Sequence, residues 1–172
     1  MEFYEVVNRR FSVRAYKSDP VPDEVLNRIL EAGRRAPSAK NYQPWKFIVV
    51  KDAAVRQALV PACRNQAFIA QAPVVICGCA IEELAWKKMG GYWSAAVVDV
   101  AIALEHIILA ATAEGLGTCW IGAFKEEEVR KVLGIPDGVK PVALTPLGYP
   151  AQEPKPQERK PLAEIVCFDR YQ

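Results

Sequence analysis

Residues 34–50 constrain the possible fold and ligand of this chain more than any other stretch does. A helical pattern stops at Pro37, seven small or polar residues follow, and a strand is predicted to begin at Trp45. Most connections between secondary-structure elements are shorter than this one. Two prolines together with Ser38 and Asn41 predict a stiff loop that is rich in hydrogen-bond donors. Such a loop is suited to holding a planar polar ligand by its edge.

The composition favours one domain that covers residues 1–172. The chain is 51% hydrophobic, which is enough for a sizeable core, and its net charge of +2 argues against bulk binding of nucleic acid. Basic residues nevertheless form local clusters, and they favour at least one phosphate contact: Arg9, Arg10 and Arg14; Arg34 and Arg35; Arg159 and Lys160.

The N-terminal residues and the cysteines together predict a cytoplasmic protein. The first ten residues lack the apolar run of a signal peptide. The five cysteines are odd in number, and all but Cys63 lie in apolar contexts, so reduced buried thiols are expected. Cys77 and Cys79 alternate on a predicted strand, but no second pair or histidine cluster accompanies them, which argues against a metal site.

The hydrophobic pattern alternates helices with strands. Asp23 and Asp52 are predicted helix N-caps, and the apolar run 74–80 indicates a buried central strand. Short connections favour a mixed sheet flanked by helices over a simple parallel sheet. Helices are predicted at 2–8, from 23 to just before Pro37, and at 52–60, 64–71, 94–114 and 125–133; strands are predicted at 47–50, 74–80, 118–121 and 139–147.

Residues 94–114 form a predicted helix that is apolar almost all round. Such a helix is either buried or inserted in a membrane. Asp99, Glu105 and His106 in its middle argue against a membrane span. Because a domain of this size has little interior, a large dimer interface is the expected place for the helix.

Residues 148–172 are predicted to be an extended C-terminal arm. Pro150, Pro154, Pro156 and Pro161 disfavour regular structure, and strand character returns over 162–168. An arm of this kind is suited to embracing a partner subunit.

Three further segments carry candidate binding groups. Arg10, Ser12 and Arg14 alternate, so an extended backbone points them one way, and two guanidinium groups with a hydroxyl match a phosphate. Gly122 and Ala123 would present bare backbone amides near a strand end. The pair Arg159-Lys160 follows the proline-rich stretch.

Together these segments resemble the flavin-dependent nitroreductases over nearly the whole chain. Arg10-Phe-Ser-Val-Arg14 resembles the family's N-terminal signature, and Ala36-Pro-Ser-Ala-Lys-Asn-Tyr-Gln-Pro-Trp45 is similar to its most specific motif. Residues 113–122 match the segment that passes the flavin ring, and Gly148-Tyr-Pro with Arg159-Lys-Pro-Leu matches the closing arm.

The resemblance implies an α+β fold of three layers, in which helices flank a mixed, mostly antiparallel central sheet. It also implies an obligate homodimer with FMN at the subunit interface and the C-terminal arm exchanged with the partner subunit. NADH or NADPH would be a transient electron donor, and no side chain would act as a nucleophile.

The resemblance also implies a role for individual residues. Arg10 and Arg159 would hold the FMN phosphate with Lys160 nearby, Ser12 would lie between phosphate and ring, and Arg14 would lie beside the pyrimidine edge. Pro37, Ser38 and Ala39 would come from the other subunit and pack on the flavin, supported by Asn41; Asn65 or Gln66 would contact the ring edge, and Gly122 or Ala123 would offer an amide to the flavin N5. Phe11 and Ile121 complete the predicted cofactor-binding segments, with Phe11 expected to pack against a hydrophobic neighbour.

This chain departs from the family pattern in the region that covers the acceptor slot. Residues 81–93 are short, and Trp86, Tyr92 and Trp93 either roof the slot or pack at the dimer surface. The glycine-rich nicotinamide fingerprint is absent, so a nicotinamide would stack in the acceptor slot and give ping-pong kinetics. The favoured function is an FMN-dependent NAD(P)H oxidoreductase that reduces nitroaromatics, quinones or similar acceptors, without nucleic acid or membrane. Alternatives are enone reduction, dehalogenation, a flavin-storage dimer, or an interaction protein with an empty slot.

Overall fold

This computed structural model describes residues 1–154 and 157–171, in which helices and antiparallel strands follow one another along the chain. Two short 3₁₀ turns lie at Ala39–Asn41 and Glu82–Leu84. The strands are β1 (Trp45–Val50), β2 (Val74–Ile81), β3 (Gly117–Thr118) and β4 (Val139–Gly148). The helices are α1 (Phe3–Arg9), α2 (Asp23–Arg34), α3 (Ala53–Ala62), α4 (Phe68–Gln71), α5 (Ala96–Ala113), α6 (Glu126–Leu133) and α7 (Leu162–Ile165).

The four strands form one sheet in the order β1-β2-β4-β3. Each neighbouring pair is antiparallel, with Trp45 opposite Ala80 and Val74 opposite Leu147. An isolated parallel bridge joins Ser12 to Thr118 at the β3 edge. The prediction of a mixed, mostly antiparallel sheet flanked by helices is confirmed.

Alternation along β2 divides the core into two layers, one on each side of the sheet. Val74, Ile76 and Ala80 belong to the cluster that contains the apolar faces of α2 and α5. Val75, Cys77 and Cys79 belong to the opposite cluster, with α3, α4 and α6. Because successive side chains point to opposite faces of a strand, one continuous apolar run serves both layers.

Helix α5 lies centrally between α2 and the sheet. The described chain contains one helix, α5, that is long and apolar enough to cross a membrane, and half of it is buried inside this fold. A core helix has the same composition, and the buried Asp99 and the solvent-exposed Glu105 lie along it. A single subunit therefore buries more of this helix than the length of the chain alone suggests.

Gly78 permits the close approach of α5 to the sheet. A Cβ at this position would lie 2.7 Å from Cδ1 of Leu104. We expect Gly78→Ala to lower the free energy of unfolding by about 1–3 kcal/mol, because overpacking a buried site forces neighbouring atoms to move. Urea unfolding of the variant measures this loss.

A double-mutant cycle with Leu104→Ala identifies the cause of that loss. Since Leu104 supplies the three atoms nearest to the added methyl group, the penalty of Gly78→Ala should shrink when Leu104 is shortened. An equal penalty in both backgrounds would contradict the proposed clash.

Three local predictions are wrong. Asp23 is the first residue of α2 and not its N-cap; Pro22 precedes it, and the Asp23 carboxylate pairs with Lys51 Nζ. The predicted helix 64–71 is regular only over α4, because Arg64 and Asn65 have left-handed φ angles of 58° and 60°. The segment 162–168 contains α7 and not a strand, since Ala and Glu favour helix and β3 and β4 lie elsewhere.

The cysteine environments also differ from expectation. Cys63, the one cysteine without an apolar sequence context, is fully buried beside α3, whereas Cys167 is exposed. The described residues contain no group of three or more His, Cys, Asp or Glu residues arranged to hold a metal ion.

The beginning of the C-terminal arm pairs with its own subunit. Lys17 N–H donates to the Tyr149 carbonyl at 2.9 Å, and Ala151 N–H donates to the Ala15 carbonyl at 2.9 Å. The arm therefore passes the segment that carries Arg14. Of the residues in the predicted arm, Lys155, Pro156 and Gln172 lie outside the described part of the chain.

Candidate functional site

Arg10 and Arg14 near the N-terminus and Arg159 on the C-terminal arm line two adjoining cavities. Arg10, Phe11, Gln157 and Arg159 line both. The smaller cavity has a volume of about 140 Å³ and is completed by Ser12, Arg14 and Gln152. The larger has a volume of about 550 Å³ and is completed by Val7, Asn8, Arg9 and Pro154. The structure therefore brings together the predicted phosphate-binding segments.

The backbone after α1 fixes these side chains. Val13 N–H donates to the Thr118 carbonyl at 2.9 Å, and the Val13 side chain is fully buried. Gly117 admits this side chain, because a Cβ at Gly117 would lie 2.5 Å from Cγ2 of Val13. Alternation around the buried Val13 then places Ser12 and Arg14 on the same side, as the sequence predicts.

The arm joins the same site through its polar side chains. Gln152 Oε1 accepts a hydrogen bond from Arg14 N–H at 2.9 Å. Gln157 and Arg159 line both cavities, whereas Lys160 is exposed and lines neither. Sequence reasoning missed the two glutamines; their only signal is their position near Arg159 in a polar, proline-rich segment.

The three guanidinium groups of this arginine cluster (Arg10, Arg14 and Arg159) have no bonded carboxylate. None of the ion pairs formed within residues 1–154 and 157–171 includes them. Glu105 is exposed as a whole residue, but partial desolvation of its carboxyl raises the pKa of that group, and the Arg10 guanidinium partly opposes the shift. Guanidinium groups that lack a bonded carboxylate suit an anion, because they can form forked, charge-assisted hydrogen bonds with it.

The loop 37–41 lies apart from the arginine cluster in this subunit. Neither cavity of the cluster is lined by a residue of this loop. Ser38 and Ala39 are half-buried, and Ala39 N–H donates to Asp99 Oδ1 at 3.1 Å. The exposed Asn41 has a left-handed φ of 57°. The structure thus joins the loop to α5 and not to the phosphate-binding segments.

A third group links the residues after α3 to those after β3. Gln66 Nε2 donates to the Ala123 carbonyl at 3.2 Å and to the Cys63 carbonyl at 2.8 Å. Asn65 is exposed beside it. No described residue accepts a hydrogen bond from the N–H of Gly122 or Ala123, and both residues are exposed. Two backbone donors are therefore available to a ligand.

Two predicted residues lie in apolar surroundings. Phe11 lines the cavities and packs against the buried cluster of Val13, Tyr16 and Ala72, as expected for a hydrophobic contact. Ile121 is 2% exposed, and its N–H and carbonyl both bond to Leu144 across the sheet. Ile121 thereby fixes the strand end that presents the two free amides.

The aromatic residues of the shortened region differ in their contacts. Trp86 is half-buried, and Lys40 Nζ lies 5.9 Å from the centre of its ring, which joins this region to the loop 37–41. Tyr92 and Trp93 are exposed, and their rings lie 6.5 Å apart. Trp120, which sequence reasoning did not select, is also exposed, next to the buried Ile121.

Comparison with known proteins gives consistent matches along the chain. The model of the Nitroreductase family matches residues 7–72 and 62–149. A Thermus thermophilus protein named NADH dehydrogenase is 36% identical, with 93% of this chain and 92% of the relative covered. The FMN reductase [NAD(P)H] of Bacillus subtilis is 34% identical, with 93% of this chain and 70% of the relative covered.

A solved structure supports the same conclusion. The nitroreductase family protein of Clostridium novyi NT superposes with a TM-score of 0.80 at 39% identity, covering 87% of this chain and 86% of its own. The matched residues include Arg10, Ser12, Arg14, the loop 37–41 and Gly122-Ala123. The fold, the motifs and these matches agree, and the chain belongs to the nitroreductase family.

Proposed function

We propose that this protein is an FMN-dependent oxidoreductase that takes electrons from NADH or NADPH and passes them to small acceptors. The observation that carries the proposal is the arginine cluster, whose residues line two adjoining cavities and form no ion pair within the described chain. The names of the relatives, among them an NADH dehydrogenase and an FMN reductase, support the same reaction class.

The residues present fit an FMN phosphate. Arg10 and Arg159 line both cavities and carry guanidinium groups that can form forked hydrogen bonds, and Ser12 on the smaller cavity carries a hydroxyl. One Arg159 donor, Nη1, lies 3.1 Å from the Glu158 carbonyl oxygen. In the proposed arrangement these residues hold the phosphate, with Lys160 nearby on the arm. FMN, when bound, supplies the two-electron redox chemistry, and the protein supplies binding, orientation and electrostatics.

Other residues are proposed to act at the ring. Arg14 would stabilise negative charge at the pyrimidine edge during reduction. The unpaired N–H group of Gly122 or Ala123 would donate to the flavin N5, while Asn65 or Gln66 would contact the ring edge. The hydrogen bond from Gln66 Nε2 to the Ala123 carbonyl supports this grouping, because it joins the two segments directly.

The proposed assembly is a homodimer of one-domain subunits, with FMN at their interface. Loop residues Pro37, Ser38 and Ala39 would pack on the flavin held by the partner's arginine cluster, which agrees with their separation from the cluster within one subunit. Exposed apolar side chains on α1 and around α7 support an interface there: Phe3, Tyr4, Val7, Leu162, Ile165 and Phe168.

The proposed acceptors are nitroaromatics, quinones and similar flat molecules, and the proposed location is the cytoplasm. A nicotinamide and an acceptor would use the same slot in turn, which gives ping-pong kinetics. A second candidate is a flavin-storage dimer, favoured by the short region 81–93 that leaves little cover over the slot.

Steady-state kinetics separate the two functions. The oxidoreductase is expected to oxidise NADH or NADPH continuously when a quinone is added, with parallel lines in double-reciprocal plots. Flavin that is reduced once and then stays reduced in the presence of the quinone would favour storage.

Arg14→Ala should lower the two-electron reduction potential of the bound flavin by about 30 mV, which corresponds to ~1.4 kcal/mol. The fold should persist, because Arg14 reaches Gln152 through its backbone N–H and not its side chain. Equilibration with a reference dye measures the potential. Arg28→Ala, which removes an arginine that pairs with Glu114, is the control. An unchanged potential in Arg14→Ala would remove Arg14 from the ring edge.

A further inference from the structure

We propose that Asp99 is the positioning residue that fixes the loop 37–41 in the shape in which it meets the flavin. This inference rests on the proposed function, since it concerns the same site. Asp99 touches neither of the cavities at the arginine cluster, so it would act through the loop and not on the reacting atoms.

Asp99 is a buried carboxyl group with one oxygen in use. The residue is 3% exposed and lies in the first turn of α5. Oδ1 accepts the hydrogen bond from Ala39 N–H at 3.1 Å, whereas Oδ2 is buried without a donor in the described chain. Burial raises the pKa of this carboxyl, and the Ala39 N–H opposes the shift. A buried carboxyl that is only half satisfied destabilises the fold, and the one hydrogen bond that this carboxyl does accept comes from the loop.

The loop 37–41 and the residues up to Gln43 have a backbone that requires external support. Lys40, Asn41 and Gln43 have φ angles of 52°, 57° and 50°, in the left-handed region that non-glycine residues seldom adopt. Such conformations persist where surrounding contacts fix them, and they cluster at ligand-binding positions. Three left-handed residues within the four positions 40–43 therefore indicate a segment that is held in a defined shape.

Asp99 supplies the one hydrogen bond that ties residues 37–43 to another element of the described chain, and the next such bond is at Pro44, whose carbonyl accepts from Ile81 N–H on β2 at 2.8 Å. The other bonds of residues 37–43 stay within the loop, among them Asn41 N–H to the Ser38 carbonyl and Gln43 N–H to Ser38 Oγ, both at 2.9 Å. Without Asp99 the loop keeps its internal turn but loses its anchor on α5. The position of Ser38 and Ala39 relative to a bound ring then becomes variable, which weakens binding.

The test compares two substitutions at Asp99 with a control on the same helix. Asp99→Asn keeps a carbonyl oxygen that can accept from Ala39 N–H, whereas Asp99→Ala has no acceptor. Thr112→Ala is the control, because the Thr112 hydroxyl bonds to the Ile108 carbonyl within α5 and not to the loop. Two quantities are measured: hydrogen exchange of the Ala39 amide in FMN-free protein, and the Kd for FMN.

We expect Asp99→Ala to speed exchange of the Ala39 amide, and to raise the Kd for FMN, by about tenfold each, as follows from losing one hydrogen bond to a charged group. Asp99→Asn and Thr112→Ala should stay within about threefold of the wild type. Unchanged Ala39 exchange in Asp99→Ala, or an effect of Asp99→Asn as large as that of Asp99→Ala, would overturn the proposal.

The two proposals can fail separately. Faster Ala39 exchange without any change in the Kd for FMN overturns the positioning role and leaves the proposed function intact. Failure of wild-type protein to bind FMN overturns the proposed function itself. If Asp99→Ala does not fold, the anchor is tested in FMN-free wild-type protein by nuclear magnetic resonance. The measurement is the scalar coupling across the hydrogen bond, between the Ala39 amide nitrogen and the Asp99 carboxyl carbon. Absence of this coupling overturns the anchor.

Discussion

A chain that ends at Pro150 is expected to bind FMN at least about 100-fold more weakly than the full chain, the loss that follows from ~2.7 kcal/mol. The truncation removes Gln152, Gln157 and Arg159, which together line the cavities at the arginine cluster. The core should survive, because the described residues beyond Pro150 are exposed or half-buried. Fluorescence titration of FMN measures the affinity, and circular dichroism checks the fold.

Truncation at Pro150 should also weaken the dimer, since it deletes the exposed apolar residues around α7. A chain that ends at Pro161 is the matched control. It retains Arg159 and Lys160 but lacks α7, so it should retain FMN better than the shorter chain at protein concentrations where both are dimeric. A stable, yellow dimer of the chain that ends at Pro150 would contradict the role of the arm.

Arg10→Ala is expected to raise the Kd for FMN by about 30-fold or more, because removing one partner of a close charge pair typically costs at least ~2 kcal/mol. Arg10 lines both cavities and lies near Glu105 on α5. Arg10→Lys should recover part of the affinity but not all of it, since a lysine lacks the forked geometry of a guanidinium group. Titration with FMN at fixed ionic strength measures each variant.

Arg28→Ala is a suitable control for that series. Arg28 is an exposed arginine that pairs with Glu114 and lies outside both cavities, whereas Arg10 is half-buried. Its replacement should leave the Kd for FMN unchanged. Equal losses in Arg10→Ala and Arg28→Ala would show that general charge, and not the arginine cluster, determines the affinity.

The sheet and its central helix could be predicted from the sequence because their patterns are strong. The apolar run over β2 indicates a strand buried on both faces, and the structure places alternate residues of it in two core layers. The long apolar helix α5 was equally evident. Its degree of burial within one subunit was not, because the packing of α5 over Gly78 depends on tertiary contacts.

Local boundaries were harder to predict. Asp23 has the side chain of an N-cap, but its carboxylate pairs with Lys51, a residue that only the tertiary fold brings near. Residues 162–168 mix apolar and polar types in a way that suits a strand or a helix, and no described strand lies beside them to supply a ladder. In both places a contact distant in sequence determines the outcome.

The candidate site was predicted in part. Alternation correctly grouped Arg10, Ser12 and Arg14, and the arm brought Arg159 to them. Gln152 was not predicted, because a glutamine in a polar segment carries no sequence signal of its own. In the sequence, Asp99 argues only against a membrane span, because its contact with Ala39 joins residues 60 positions apart.

The most direct test of the proposed function is the visible spectrum of the purified protein, recorded without oxygen before and after addition of NADH and then NADPH. We predict flavin absorption bands that bleach when one or both nucleotides are added, at about one FMN per subunit. Flavin bands that persist with both nucleotides would contradict the proposed electron donor. No flavin bands, even after FMN is added, would contradict the proposed function as a whole.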